Sequence, residues 1–154
     1  MFEKALNYVL SYPKTERQLR QWLASKKCDP DETESIVARL KEYGYINDEH
    51  YAKLFVDQQS HKQGRGAILS KMYQKGLSRE IIEANTAEID EAIQRDLALT
   101  VAEKWLSGRE PSHETFRKLF GHLMRKGFDL DLVRGVTSQL RSQHGKGGEH
   151  DDWD

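Results

Sequence analysis

Thiols, prolines and uninterrupted apolar stretches are all scarce in this sequence. Its single cysteine, Cys28, cannot close an internal disulfide, and alone it cannot anchor a multi-thiol zinc or iron–sulfur site. The apolar stretches are short; residues 97–102 are among the longest and Thr100 interrupts them. Nothing approaches the ~18–20 consecutive apolar residues of a membrane span. The start, Met1-Phe2-Glu3-Lys4, has no basic region feeding an apolar segment, so no secretory signal is read and a cytoplasmic location is expected. An excess of charge of one sign is missing too, with 24 Lys+Arg against 25 Asp+Glu. No global field would draw the chain onto DNA, where phosphate neutralisation and counterion release supply most non-specific affinity.

Charge is distributed by region instead. Residues 1–79 carry 14 basic and 10 acidic side chains, 80–110 carry 3 and 8, 111–148 carry 7 and 3, and 149–154 carry none and 4. Any attraction to nucleic acid is therefore local.

The apolar period is helical almost throughout. Leu19 and Leu23, Ile36 and Leu40, Tyr51 and Phe55, Ile68 and Met72, Leu119 and Leu123, and Val136 and Leu140 are each four apart, on one helix face. No segment alternates with period two long enough for a strand. Pro13 ends a first helix over 3–11, and Thr15-Glu16-Arg17-Gln18 reads as a capping box. Asp29-Pro30-Asp31-Glu32 opens another helix, with proline where its missing N–H is harmless and acids at the positive end of the dipole. Gly44, Gly64, Gly76, Gly108 and Gly127 read as helix stops in the left-handed conformation. About nine short helices follow. Residues 143–154 lack an apolar period and are expected to form a disordered acidic tail.

One pattern occurs three times. From Lys26, Lys75 and Lys126, apolar residues lie seven and three positions upstream (Leu19, Ile68, Leu119; Leu23, Met72, Leu123) and fourteen downstream (Leu40, Ile89, Leu140). The lysines are 49 and 51 residues apart. Each copy reads as an amphipathic helix, a glycine-like stop, an apolar residue that packs back, an Asp or Ser N-cap and a second helix. A third helix follows over 48–62 in the first copy and 91–107 in the second. The expectation is an all-α protein of three tandem three-helix repeats, 1–63, 64–108 and a shortened 109–142, stacked into an elongated, curved array that works by surface and not by pocket.

No catalytic motif is present: there is no Gly-x-Ser-x-Gly, no His-Glu-x-x-His and no phosphate loop. Gly64-Arg65-Gly66 is a fragment of a dinucleotide fingerprint that follows a helix, so it reads as a helix break. His113 and His122, nine apart, do not share a helix face, and His144 and His150 fall in the tail, so neither a metal nor a cofactor is expected. Cys28 reads as a small packing residue, because a helix C-terminus opposes a thiolate. Trp22, Tyr45, Tyr51, Phe55, Tyr73, Trp105, Phe116, Phe120 and Phe128 are expected mostly in the core. The cations Arg20, Lys26, Lys27, Arg65, Lys71, Lys75, Lys118, Arg125 and Lys126 recur beside the repeat turns as a candidate partner-binding row, although helix C-termini favour lysine in any case. Trp153 among Asp151, Asp152 and Asp154 reads either as a docking peptide or as a solubilising end.

Gly44-Tyr45-Ile46-Asn47-Asp48-Glu49-His50-Tyr51-Ala52, then Gly64-Arg65-Gly66 and Ile68…Lys75-Gly76, resemble the RecX family of bacterial regulators of the RecA recombinase. So does the opening Ala5-Leu6…Leu10, Pro13-Lys14-Thr15-Glu16…Leu19-Arg20…Leu23, Lys26…Asp29-Pro30. The chain departs from the family's pattern at Lys27, Cys28 and Thr33. The resemblance implies three tandem three-helix repeats and a protein that lies in the groove of the RecA filament on single-stranded DNA; with no catalytic motif the chain is read as a non-enzymatic regulator, and a monomer is expected. It also implies inhibition of filament extension, ATP hydrolysis, strand exchange and coprotease action; from the charge balance and the short apolar stretches, at most weak direct contact to DNA and none to membranes is expected. The rival readings are a direct nucleic-acid-binding helical module and a generic helical interaction scaffold.

Overall fold

The computed structural model describes residues 1–144. The described chain is all-α, with no strand among those residues: α1 (Phe2–Ser11), α2 (Glu16–Ser25), α3 (Pro30–Glu42), α4 (Asp48–Gln59), α5 (Arg65–Gln74), α6 (Arg79–Thr86), α7 (Glu91–Leu106), α8 (His113–Arg125) and α9 (Leu130–His144). The expected tail is corrected at its first two residues, since Gln143 and His144 close α9 and the His144 ring lies 6.1 Å from Phe116. The rest of that tail, with His150 and Trp153, falls outside the described residues.

The predicted helix starts are built as read. Thr15 accepts from the Gln18 N–H while the Gln18 side chain accepts from the Thr15 N–H, a complete capping box. Asp29 accepts from the Asp31 and Glu32 amides with Pro30 in the first turn, and Ser78 accepts from the Ile81 amide. The stops after α2, α5 and α8 share one construction. The N–H groups of Cys28, Leu77 and Phe128 return to the carbonyls of Leu23, Met72 and Leu123, and those of Lys27, Gly76 and Gly127 to Ala24, Tyr73 and Met124. Gly76 and Gly127 have φ of 84° and 90°, and Lys27 takes the same left-handed place at φ 59° despite its side chain. Leu77 and Phe128 are buried.

Gly64 differs from the expectation: it immediately precedes α5, is buried, and does not stop a helix in the left-handed conformation. A Cβ there would sit 2.3 Å from the Gly127 carbonyl carbon. Glycine is required at position 64 by close backbone approach.

The described chain divides into two compact units. The first comprises Met1–Asp57 and Leu69–Glu88. Ala5 and Val9 of α1, Leu19 and Leu23 of α2, and Ile36, Val37 and Leu40 of α3 form its principal core with Ile46. The second comprises Gln58–Ile68 and the chain from Ile89 on. Here α7, α8 and α9 pack as a three-helix bundle around Phe116, Leu119, Leu123, Phe128, Val133, Val136 and Leu140, and the small Ala98 and Ala102 on α7 allow close packing.

Each unit contains the same joint. In the first, the Thr15 hydroxyl donates to the Lys75 carbonyl (2.7 Å) and Asp48 accepts the Glu16 N–H (2.9 Å). In the second, the Gly64 N–H donates to the Lys126 carbonyl (3.1 Å), the Gly66 N–H to the Gly127 carbonyl (2.8 Å), and Gln94 accepts the Arg65 N–H (2.9 Å). Thr15 and Gly64 each stand eleven residues before their own repeat lysine, Lys26 and Lys75. In both units the start of the helix that leads to one of these lysines therefore docks on the turn that carries the next lysine. Gln94, which is buried, completes the second joint by donating to the carbonyls of Ser60 (3.0 Å) and Gln63 (2.9 Å).

Candidate nucleic-acid interface

Of the nine cations expected to meet a partner, Arg20, Lys26, Lys27, Lys71 and Lys75 stand in the first unit and Arg65, Lys118, Arg125 and Lys126 in the second. Arg20 is engaged within the fold: its Nε donates to Glu16 (2.9 Å) and its two terminal nitrogens to Glu34 (2.6 and 3.1 Å). Those two carboxylates hold the guanidinium firmly protonated, Glu34 most strongly. Lys118 stands 3.8 Å from Glu114, an exposed pair that solvent screens. Arg65 is half-buried where the joint forms, and Lys71 is exposed on α5. Lys26 lies over the Trp22 ring (5.6 Å) and Lys75 over Phe55 (5.7 Å).

The aromatic expectation needs correction at Tyr45 and Tyr73, which are exposed. Tyr45 follows the left-handed Gly44 in the turn after α3, where the core is closed by Ile46 instead. Tyr73 sits one residue beyond the buried Met72, on the outer face of α5. Trp22 is half-buried and stacks on Tyr8 at 4.6 Å. Cys28 packs against the first core as read.

The second unit gathers a basic groove. Lys62 and Gln63 after α4, Val101, Lys104 and Trp105 of α7, and His122, Lys126 and Phe128 at the end of α8 line a depression of about 360 Å³. Trp105 stacks on His122 with ring centroids 5.8 Å apart, and the Arg109 guanidinium lies 3.9 Å over Trp105 while donating to its carbonyl (2.7 Å). His122 is held below the usual histidine range, first by burial and then by the charges of Lys126, Arg125 and Arg109. Among the described residues, Lys62, Lys104, Arg125 and Lys126 make no ion pair. Of the expected cations only Lys126 lines the groove. Lys62 and Lys104 come from separate segments, after α4 and on α7, and no sequence period links them. Among the same residues, no group of three or more His, Cys, Asp or Glu is placed to hold a metal ion, and no helix is long and apolar enough to cross a membrane.

The family model for the second three-helix domain of RecX matches residues 47–84. The regulatory protein RecX of Clostridium perfringens (strain 13 / Type A) is 34% identical over 140 residues, covering 88% of this chain and 66% of that protein. Its counterpart in Clostridium botulinum (strain Eklund 17B / Type B) is 32% identical over 141 residues, covering 89% and 66%. The chain belongs to the RecX family. It spans about 66% of the length of these curated RecX relatives. The fold agrees: the crystal structure of RecX from Lactobacillus salivarius superposes with a TM-score of 0.82 at 24% identity, covering 90% of this chain and 93% of that one. The departure from the RecX pattern at Lys27 leaves the turn intact, because the lysine adopts the glycine conformation there.

Proposed function

We propose that this chain regulates RecA by binding the RecA filament on single-stranded DNA, inhibiting filament extension, ATP hydrolysis, strand exchange and coprotease action. The observation that carries this reading is RecX membership over most of the chain. The repeats 1–63, 64–108 and 109–142 act as its contact modules, and it works in the cytoplasm as a monomer without chemistry of its own. Linked weak contacts gain effective concentration, so modest patches on separate repeats add to tight binding. A ligand of this kind shifts the filament only by its differential affinity for two filament states, and preference for a non-extending state halts growth.

Titration into RecA on single-stranded DNA should suppress ATP hydrolysis at low concentration. Unchanged hydrolysis over a wide range, with folded protein, contradicts the reading. Charge reversal at Lys75 and Lys126 should weaken filament binding without unfolding, and equal binding by that variant would remove the turn lysines from the interface. The basic groove favours one second reading, a module that holds nucleic acid directly with steep salt dependence and without RecA.

A further inference from the structure

The exposed tyrosines among the described residues, Tyr12, Tyr43, Tyr45 and Tyr73, all stand in the first unit. Tyr12 has a role within the fold, since the Lys14 ammonium lies 3.4 Å over its ring. Tyr43 and Tyr45 share the one turn between α3 and α4 and are 57% and 46% exposed. The backbone holds that turn in place: the N–H groups of Tyr43 and Gly44 donate to the Arg39 and Lys41 carbonyls, and those of Tyr45 and Ile46 both donate to Leu40. The neighbouring side chains have tasks inside the fold. Ile46 closes the first core, Asn47 accepts the His50 N–H (3.0 Å) and Asp48 accepts the Glu16 N–H. Among the described residues, no ring or cation stacks on Tyr43 or Tyr45. Gly44 between them, at φ 82°, has nothing within 4 Å of a would-be Cβ, so the turn projects into solvent.

Two tyrosines on a hydrogen-bonded turn are the kind of anchor on which protein interfaces depend, because tyrosine covers a large area with few torsions to freeze. The charge around them selects the partner. Glu42 precedes the rings and Glu49 follows them; both are exposed, and neither makes an ion pair among the described residues. Lys41, the cation nearest in sequence, is held by Glu16 at 3.1 Å. Carboxylates on both sides repel phosphates, so a nucleic acid strand is disfavoured here, and the complement is an apolar recess on a protein, rimmed by lysine or arginine.

We propose that the turn Tyr43-Gly44-Tyr45, flanked by Glu42 and Glu49, docks into a cation-rimmed apolar recess on the protein subunits of the filament. The proposal rests on the filament reading for the partner's identity, and the chemistry of the turn assigns this contact to RecA and not to the DNA.

The test measures co-sedimentation of the full chain with RecA filaments preassembled on single-stranded DNA. Tyr43→Ser with Tyr45→Ser should weaken binding at least about tenfold, while Leu10→Ser, at a similarly exposed apolar residue of α1, should leave it unchanged. Glu42→Lys with Glu49→Lys, which keeps both rings, should weaken binding at low salt, and the difference should shrink as salt screens it. Equal affinity for the tyrosine variant and the Leu10 variant, with thermal melts showing both folded, overturns the proposal. Tighter binding by the charge-reversed variant overturns it too, because the surface facing the turn is then anionic. So does binding of oligo-dT without RecA that the tyrosine variant loses, which puts the rings on bases, or self-association of the wild type that the tyrosine variant loses, which puts a second copy on the turn. If the wild type binds the filament and the tyrosine variant binds equally, the turn falls and the filament reading stands. If the wild type does not sediment with the filament, both fall.

Discussion

Substituting Gly127 by alanine separates two roles that glycine plays in the joint of the second unit. The first is conformational: at φ 90° an L-residue costs about 1–2 kcal/mol. The second is spatial, since the added Cβ would lie 2.5 Å from the Ala67 nitrogen and 2.7 Å from its Cβ. The start of α5 must then retreat, which breaks or stretches the Gly64-to-Lys126 and Gly66-to-Gly127 hydrogen bonds, each about 0.5–1.5 kcal/mol. The expected total is about 2–5 kcal/mol. Gly108, also left-handed at φ 79° but with nothing within 4 Å of its would-be Cβ, provides the internal control at about 1–2 kcal/mol. Urea unfolding of Gly127→Ala and Gly108→Ala measures the difference. Amide exchange at Gly64 and Gly66, faster in the first variant and unchanged in the second, locates it. Equal loss in the two variants, with unaltered exchange at Gly64, would refute the claim that this joint bears on stability.

Lys27→Gly should stabilise the chain by about 1 kcal/mol, because it removes the left-handed penalty while keeping the Cys28-to-Leu23 closure; a lower urea midpoint would contradict this. Leu123→Ala, at a fully buried site of the second core, should cost about 2–4 kcal/mol, and an unchanged midpoint would mean that the α8 face is wrongly assigned. His122 should make stability depend on pH. Its folded pKa lies below the unfolded value of about 6.5, so its contribution is complete above that pH and is lost as the solution is acidified through and below it. Melting temperature should fall more between about pH 7 and 5 for the wild type than for His122→Gln, and parallel curves would exclude the effect.

The helices and their repetition are legible in the sequence because both are local or periodic. Four-residue apolar spacing places the buried Leu19, Leu23, Leu119 and Leu123, and the capping box at Thr15 needs only four consecutive residues. Gly64 is misread for the opposite reason. Its neighbours look like a helix break, whereas the need for glycine comes from the Gly127 backbone, far away in sequence. His144 looks like tail because polar residues surround it, yet α9 carries it to Phe116. The groove escapes sequence reasoning because Lys62, Lys104 and Lys126 lie on three segments that converge only in the fold. Arg20 shows the converse: its place beside a repeat turn suggests a free cation, while Glu16 and Glu34 occupy it.

Co-sedimentation of the full chain with RecA filaments preassembled on single-stranded DNA, beside the same DNA without RecA, tests the functional account most directly. Filament regulation predicts that the chain pellets stoichiometrically with the filament, and that at physiological salt it stays largely in the supernatant with DNA alone. Equal recovery with and without RecA, or none with either, would contradict it.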